Sequence, residues 1–163
     1  MTTNELFALN EIIGAQLRAK NASLATAESC TGGAVAQSIT AISGCSAYFK
    51  GSVVAYSNEV KQNLLHVPEF IITSHGAVSK ECVQAMAQNC RRIFNTTYAI
   101  ATSGIAGPGG GTDEKPVGTV WIAVAAPQGI VSHKCAFSGT RAHIVEQTLL
   151  VSLQMLLHEV EQQ

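Results

Sequence analysis

The segment Thr26-Ala27-Glu28-Ser29-Cys30-Thr31-Gly32-Gly33 constrains the fold more than any other part of the chain. An apolar run from Ala22 to Thr26 leads into a short polar turn, two glycines follow, and a helical pattern begins behind them. A strand that turns sharply into a helix belongs to an open α/β sheet, and its turn then lies at the carboxyl end of the strands, where ligands collect in such folds. The turn carries two candidate nucleophiles, Ser29 and Cys30. The N–H groups around Thr31, Gly32 and Gly33 open the following helix, lack intrahelical partners and favour negative charge. A serine in such a corner can attack a carbonyl while those N–H groups hold the oxyanion that forms.

The flanking periodicities are those of alternating helices and strands. Residues 4–20 align Leu6, Leu9, Ile13 and Leu17 on one helical face, strand 22–27 follows, and a helix from about 31 to 42 turns Val35, Ile39 and Ile42 inward. Residues 46–57, rich in Val and aromatic side chains, predict extended chain, and a short helix opens at Ser57 or Asn58, both good N-caps. Helix 79–94 starts on Ser79, with Val83, Met86, Ala87, Cys90 and Phe94 facing in, and strand 97–102 follows. Strands 117–126 and 129–138 form a hairpin around Pro127-Gln128-Gly129, and helix 141–160 aligns Val145, Leu149, Leu153, Leu156 and Val160. Helices between strands predict a single-domain three-layer α/β/α sandwich with a mostly parallel mixed sheet and one antiparallel hairpin.

Length and composition bound the function. A chain of 163 residues predicts one domain over 1–163 with a sizeable core. Apolar residues are 47% and charged ones 13%, so a homo-oligomer partner is expected to cover part of the surface. The net charge is −1 with no basic stripe, which makes nucleic acid a poor partner. No apolar run reaches the ~18 residues of a membrane span, and no basic-then-apolar leader opens the chain. The five cysteines, Cys30, Cys45, Cys82, Cys90 and Cys135, are scattered and form no C-x-x-C pair. That pattern argues against a disulfide framework or a zinc site and for reduced thiols in a cytoplasm.

Two further segments carry chemistry. In Tyr56-Ser57-Asn58-Glu59-Val60-Lys61, the lysine is expected in the first turn of its helix, where an ammonium is disfavoured. It either extends into solvent or serves as a base whose amine has lost its proton, and Tyr56 could then relay or hold a proton nearby. The stretch Ser103-Gly104-Ile105-Ala106-Gly107-Pro108-Gly109-Gly110-Gly111 leaves a strand end, and its Gly104-x-x-Gly107 turn allows close approach to a ligand. It is neither a P-loop nor a dinucleotide fingerprint, but glycines clustered in a long loop of a compact domain are often functional. Around these segments, Cys30 competes with Ser29 as nucleophile. Glu28 orients either the turn or Lys61, or is simply a satisfied turn carboxylate. Asp113, Glu114 and Lys115 form a solvated loop tip or close over a ligand.

The runs TAESCTGG (26–33), SAYFKGSVVAYSNEVK (46–61), HGAVS (75–79), ATSGIAGPGGGTDEKPVGTVW (101–121) and FSGTR (137–141) occur in order along nearly the whole chain. Together they closely resemble the nicotinamide-nucleotide amidase family, also known as the C-terminal domain of the competence/damage-inducible CinA proteins. The length resembles that of the stand-alone amidase form. The resemblance implies hydrolysis of the carboxamide of nicotinamide mononucleotide to nicotinate mononucleotide and ammonia, in pyridine nucleotide salvage. It implies Ser29 as nucleophile, Lys61 as base and Tyr56 assisting. It also implies Ser46, Ser103 and Arg141 as lining of the pocket for a small nucleotide. No metal or organic cofactor is implied. Many relatives have aspartate where this chain has Thr140, and a second basic residue where it has Val145. Arg141 alone can still grip a phosphate through two parallel hydrogen bonds, or it can pair with a surface carboxylate.

The residue chemistry points the same way. An amide is a poor electrophile and needs both a positioned nucleophile and oxyanion donors. The histidines, His66, His75, His133, His143 and His158, lie outside the three glycine-turn segments, and a Ser–Lys dyad accounts for a site without one. An amidase for another carboxamide, or a non-catalytic nucleotide-binding relative, are the alternatives. The intact Ser29, Tyr56 and Lys61 weigh against the latter.

Overall fold

A computed structural model describes residues 3–163. Its elements, in chain order, are α1 (Thr3–Ala19), β1 (Leu24–Glu28), α2 (Ala34–Thr40), β2 (Phe49–Val54), α3 (Asn58–Asn63), α4 (Glu69–His75), α5 (Lys80–Ile93), β3 (Tyr98–Gly104), β4 (Thr119–Ala126), β5 (Gly129–Ala136) and α6 (Arg141–Glu161). The sheet order is β2-β1-β3-β4-β5. The β2–β1 and β1–β3 pairs are parallel, and the β3–β4 and β4–β5 pairs are antiparallel. Four strands therefore run one way and β4 alone opposes them, as the mixed three-layer architecture requires.

Strand side chains alternate between faces, and here the two faces differ in kind. One presents Ala25, Ala27, Ala99, Ala101, Ala123 and Ala125, all buried. Register aligns them across strands: Ala25 with Ala99, Ala27 with Ala101, Ala99 with Ala125, Ala101 with Ala123. This flat floor of methyl groups receives α5, whose Cys82, Val83, Met86, Ala87 and Cys90 share its core cluster. The opposite face carries larger residues, Leu24, Tyr98, Ile100 and Val124, and packs against α1, α2 and α6 through Ile13, Leu17, Val35, Ile39, Leu153 and Leu156. Each fully buried Leu, Ile, Val or Met contributes about 1.5–3 kcal/mol.

Local differences from the sequence-based expectations have physical causes. The second helix starts at Ala34, not near 31, because Gly32 (φ +61°) and Gly33 (φ +101°) both take left-handed backbone. Residues 46–57 are not extended throughout. Cys45–Ala47 make one 3₁₀ turn after the left-handed Gly44, and the aromatic signal there reflects the burial of Tyr48 rather than a strand. The short helix α4 was not expected: Phe70, Ile71 and Ile72 are contiguous and show no helical period. Ser57, Ser79 and Thr140 each cap a helix, accepting from the N–H of Val60, Cys82 and His143 respectively. No helix among the described residues is long and apolar enough to cross a membrane.

Candidate active site

Because β1 and β3 are parallel, the turn after β1 and the loop after β3 emerge at the same sheet end. Between them lies a pocket of ≈240 Å³ lined by Ser29, Cys30, Tyr56, Gly104, Ile105, Ala106, Gly107, Gly109, Gly110 and Arg141. A larger depression of ≈480 Å³ between β5 and α6 contains Ser132 and His133 but no lysine. Volume does not select the site. A nucleophile beside a desolvated base does.

Lys61 donates from Nζ to Ser29 Oγ at 3.0 Å and to the Ala55 carbonyl at 2.8 Å. Its side chain is 2% exposed, and burial pushes its pKa below the ordinary lysine value. Cys82 and Cys30 act in the opposite sense, each less than burial. Among the described residues no carboxylate forms an ion pair with it. Lys61 falls in the last turn of the six-residue α3 rather than its first, so of the two causes expected from the sequence, helix-start charge and burial, burial is the one that favours a neutral amine. Ser29 is 8% exposed, and its backbone N–H is fixed on the Thr102 carbonyl at 3.0 Å.

Glu28 is 0% exposed, and the hydrogen bonds of Lys61 go to Ser29 and Ala55 rather than to it. Its Oε2 accepts from the N–H groups of Gly33 and Val35, both at 3.0 Å, and from Thr31 Oγ1 at 2.7 Å. Its Oε1 accepts from Ala36 N–H at 2.8 Å, with Thr26 Oγ1 at 3.3 Å. The oxyanion donors expected at Gly32 and Gly33 are therefore already spent. Gly33 N–H is on Glu28, and Gly32 N–H is on the Ser29 carbonyl at 3.0 Å. Thr31 turns its hydroxyl away to Glu28 and Thr102. Among the described residues, the N–H groups of Cys30 and Thr31 reach no other residue.

Two other expected pocket residues lie elsewhere. Ser46 is exposed in the 3₁₀ turn before β2. Since β2 is parallel to β1, that places it at the opposite end of the sheet from Ser29. Ser103 is buried on the α5 side, where its hydroxyl donates to the Ala77 carbonyl at 2.7 Å, so it braces the α4–α5 junction. Tyr56 is 59% exposed at the pocket mouth, and its hydroxyl engages Arg141 rather than Lys61 or Ser29. Arg141 also donates to the Gly107 carbonyl at 2.8 Å, strapping the glycine loop to the end of β2. Thr140 caps α6, and Val145 packs into the core. Burial pushes the Cys30 thiol up to about 12, so Cys30 remains a thiol at neutral pH and is a poor rival nucleophile. Lys115 is not free at its loop tip, because it donates to the His75 carbonyl at 2.9 Å. No histidine lines the pocket. Among the described residues, no group of three or more His, Cys, Asp or Glu side chains could hold a metal ion. The functional atom that nothing in the sequence marks is the Ala55 carbonyl, which anchors Lys61.

Residues 6–160 match the CinA C-terminal domain family. The chain is 47% identical over 158 residues to the nicotinamide-nucleotide amidohydrolase PncC of Escherichia coli strain K12, covering 96% of this chain and 95% of the relative. It is 43% identical over 154 residues to a CinA-like protein of Cytophaga hutchinsonii, covering 94% of this chain but only 37% of that longer relative. A CinA superfamily protein of Klebsiella pneumoniae 700603 superposes with a TM-score of 0.94 at 34% identity over 100% of both chains. The competence/damage inducible protein CihA of Agrobacterium tumefaciens superposes at 0.92 with 35% identity over 94% of each.

Proposed function

We propose that this chain, which belongs to the CinA C-terminal domain family, is an amidohydrolase that converts nicotinamide mononucleotide and water to nicotinate mononucleotide and ammonia. The observation that carries the mechanism is the 3.0 Å contact between Lys61 Nζ and Ser29 Oγ in a buried site where, among the described residues, no carboxylate pairs with the amine. The relative named a nicotinamide-nucleotide amidohydrolase, 47% identical over 96% of the chain, supports the substrate.

Neutral Lys61 takes the Ser29 hydroxyl proton as Oγ bonds to the carboxamide carbon. The tetrahedral oxyanion settles on the N–H groups of Cys30 and Thr31, which no other described residue engages. Lys61, now an ammonium, returns its proton to the carboxamide nitrogen; the C–N bond breaks and ammonia leaves. Water then attacks the Ser29 ester while Lys61 takes its proton, and the acid departs as Ser29 Oγ is reprotonated. Arg141, the cation on the pocket wall, meets the phosphate, and Tyr56 holds the guanidinium in place. The domain spans 1–163, needs no cofactor, and works in the cytoplasm as a homo-oligomer.

Ammonia release from nicotinamide mononucleotide by the wild type, lost in Ser29→Ala, is the expected result. Release only from another carboxamide would move the substrate assignment. Retained nucleotide binding without turnover of any carboxamide would overturn catalysis altogether.

A further inference from the structure

Every capped helix discussed above is closed by one hydroxyl, from Ser57, Ser79 or Thr140. Helix α2 has only seven residues and no side-chain cap from Gly33, yet a buried carboxylate reaches it from the preceding strand. Capping α2 would need one acceptor atom; Glu28 commits two. It also joins a chain of hydroxyls, buried except at half-buried Ser52. Thr26 Oγ1 meets Ser52 Oγ on β2 at 2.7 Å, and Thr31 Oγ1 meets Thr102 Oγ1 on β3 at 2.8 Å.

The backbone of the same residue serves the other half of the dyad. The Glu28 carbonyl accepts the Ala55 N–H at 2.7 Å, and the Ala55 carbonyl accepts Lys61 Nζ at 2.8 Å. Next along the chain, Ser29 N–H is held by the Thr102 carbonyl, and Thr102 is tied to Glu28 through Thr31. The nucleophile and the base therefore depend on one buried residue that touches neither of their reacting atoms.

We propose that Glu28 is a positioning residue: its carboxylate draws off the amides that open α2 and pins the turn, which keeps Ser29 Oγ in reach of Lys61 and leaves the Cys30 and Thr31 N–H groups unclaimed by any other described residue. This rests on Ser29 being the nucleophile, so its test uses a chemistry independent of the natural substrate. A fluorophosphonate forms a Ser29 Oγ–phosphorus bond as fluoride leaves, with Ser29's proton passing to the base. Its maximal inactivation rate and half-saturating concentration report positioning and binding separately.

In Glu28→Gln, of nearly equal volume, an NH₂ replaces one acceptor oxygen among backbone donors. The maximal rate is expected to fall about 10²-fold, the scale of a 1 Å misplacement. Half-saturation and the pH midpoint stay put, since Lys61 keeps its surroundings. Glu28→Asp recovers part of the rate. Thermal unfolding of each variant gives its folded fraction at the assay temperature. A loss explained by that fraction alone, or a moved pH midpoint, would overturn the proposal, the first by making Glu28 merely structural and the second by making it act on Lys61's titration. Should Glu28→Gln not fold, Thr31→Val, which removes one link and leaves the carboxylate in place, decides. A slowed maximal rate at constant half-saturation supports the proposal, and an unchanged rate refutes it. Absence of wild-type labelling, with ammonia still released, would strike the serine nucleophile itself, a distinct failure that takes this proposal with it.

Discussion

Replacing Lys61 by methionine separates its charge from its bulk, and the clearest consequence is on stability as a function of pH. The folded-state pKa of Lys61 lies below its ordinary value of 10.5, and burial is the main cause. Between the folded and unfolded values the unfolded chain binds more protons than the folded one. Wild-type stability therefore rises with pH across that window, is complete above 10.5, and is lost as pH falls through the folded value. Lys61→Met has no such group. The difference in unfolding free energy, wild type minus variant, should climb with pH at a slope approaching, but not exceeding, about 1.36 kcal/mol per pH unit for one proton. A domain of this size shifts its Tm by roughly 2–4 °C per kcal/mol. The two melting curves should thus converge or cross by up to roughly 3–5 °C per pH unit. Circular dichroism melts of both proteins at half-unit steps from neutral pH to above 10 measure this directly. The same ionisation should govern turnover, with wild-type kcat/KM rising with pH through the folded pKa of Lys61 to a plateau, and Lys61→Met losing about 10²–10⁴-fold. Melting curves that stay parallel over the whole range would show that Lys61 keeps its ordinary pKa in the fold, and the neutral-base mechanism would fail.

Other consequences are local. Arg141→Met should raise KM for nicotinamide mononucleotide about tenfold or more, equivalent to ~1.4 kcal/mol, while barely affecting the riboside that lacks the phosphate; because Arg141 is exposed, Tm should move little. Cys30→Ala should retain turnover, since the thiol it removes is held protonated and the backbone N–H remains; loss of all activity in a folded Cys30→Ala protein would reinstate Cys30 as nucleophile. Ala101→Leu places a large side chain on the floor beneath α5, where Ala101 is fully buried between Ala27 and Ala123. Overpacking of that kind costs about 1–3 kcal/mol, and a scanning calorimetry Tm within 1 °C of wild type would contradict the close packing of α5.

The layered fold was legible because its signals are periodic. Most of the inward residues expected in α5 and α6 recur at helical spacing and are buried, Val83, Met86, Ala87 and Cys90 in one, Leu149, Leu153, Leu156 and Val160 in the other, whereas Phe94 and Val145 are only partly buried and Ile144 takes the buried place beside Val145. The cap of α3 was readable to within one residue, Ser57 or Asn58, and Ser57 takes it, since a single side chain meets its own helix three residues on. Legibility failed where structure depends on partners distant in sequence. Ser103 sits beside the glycine loop in sequence, but strand alternation turns it to the α5 face, and the Ala77 carbonyl that claims it lies 26 residues earlier. Ser46 precedes a strand parallel to β1, so the topology alone removes it from the pocket.

The site's electrostatics show the same division. The sequence places an acid, a serine and two glycines in one turn, and three roles for Glu28 fit that pattern equally well. The decision comes from Val35 and Ala36, seven and eight residues further on, whose amides converge on the carboxylate only because Gly32 and Gly33 reverse the chain. With those amides occupied, α2 has little positive character left to offer a substrate, and the oxyanion must find its donors one step earlier, at Cys30 and Thr31. Lys61 follows a parallel logic. A desolvated amine with no carboxylate beside it is strained as an ammonium and comfortable as a base. The arrangement is coherent only if the buried negative charge of Glu28 is neutralised by backbone dipoles and never shared with Lys61. A carboxylate moved within ion-pair distance of Nζ would stabilise the ammonium and silence the base.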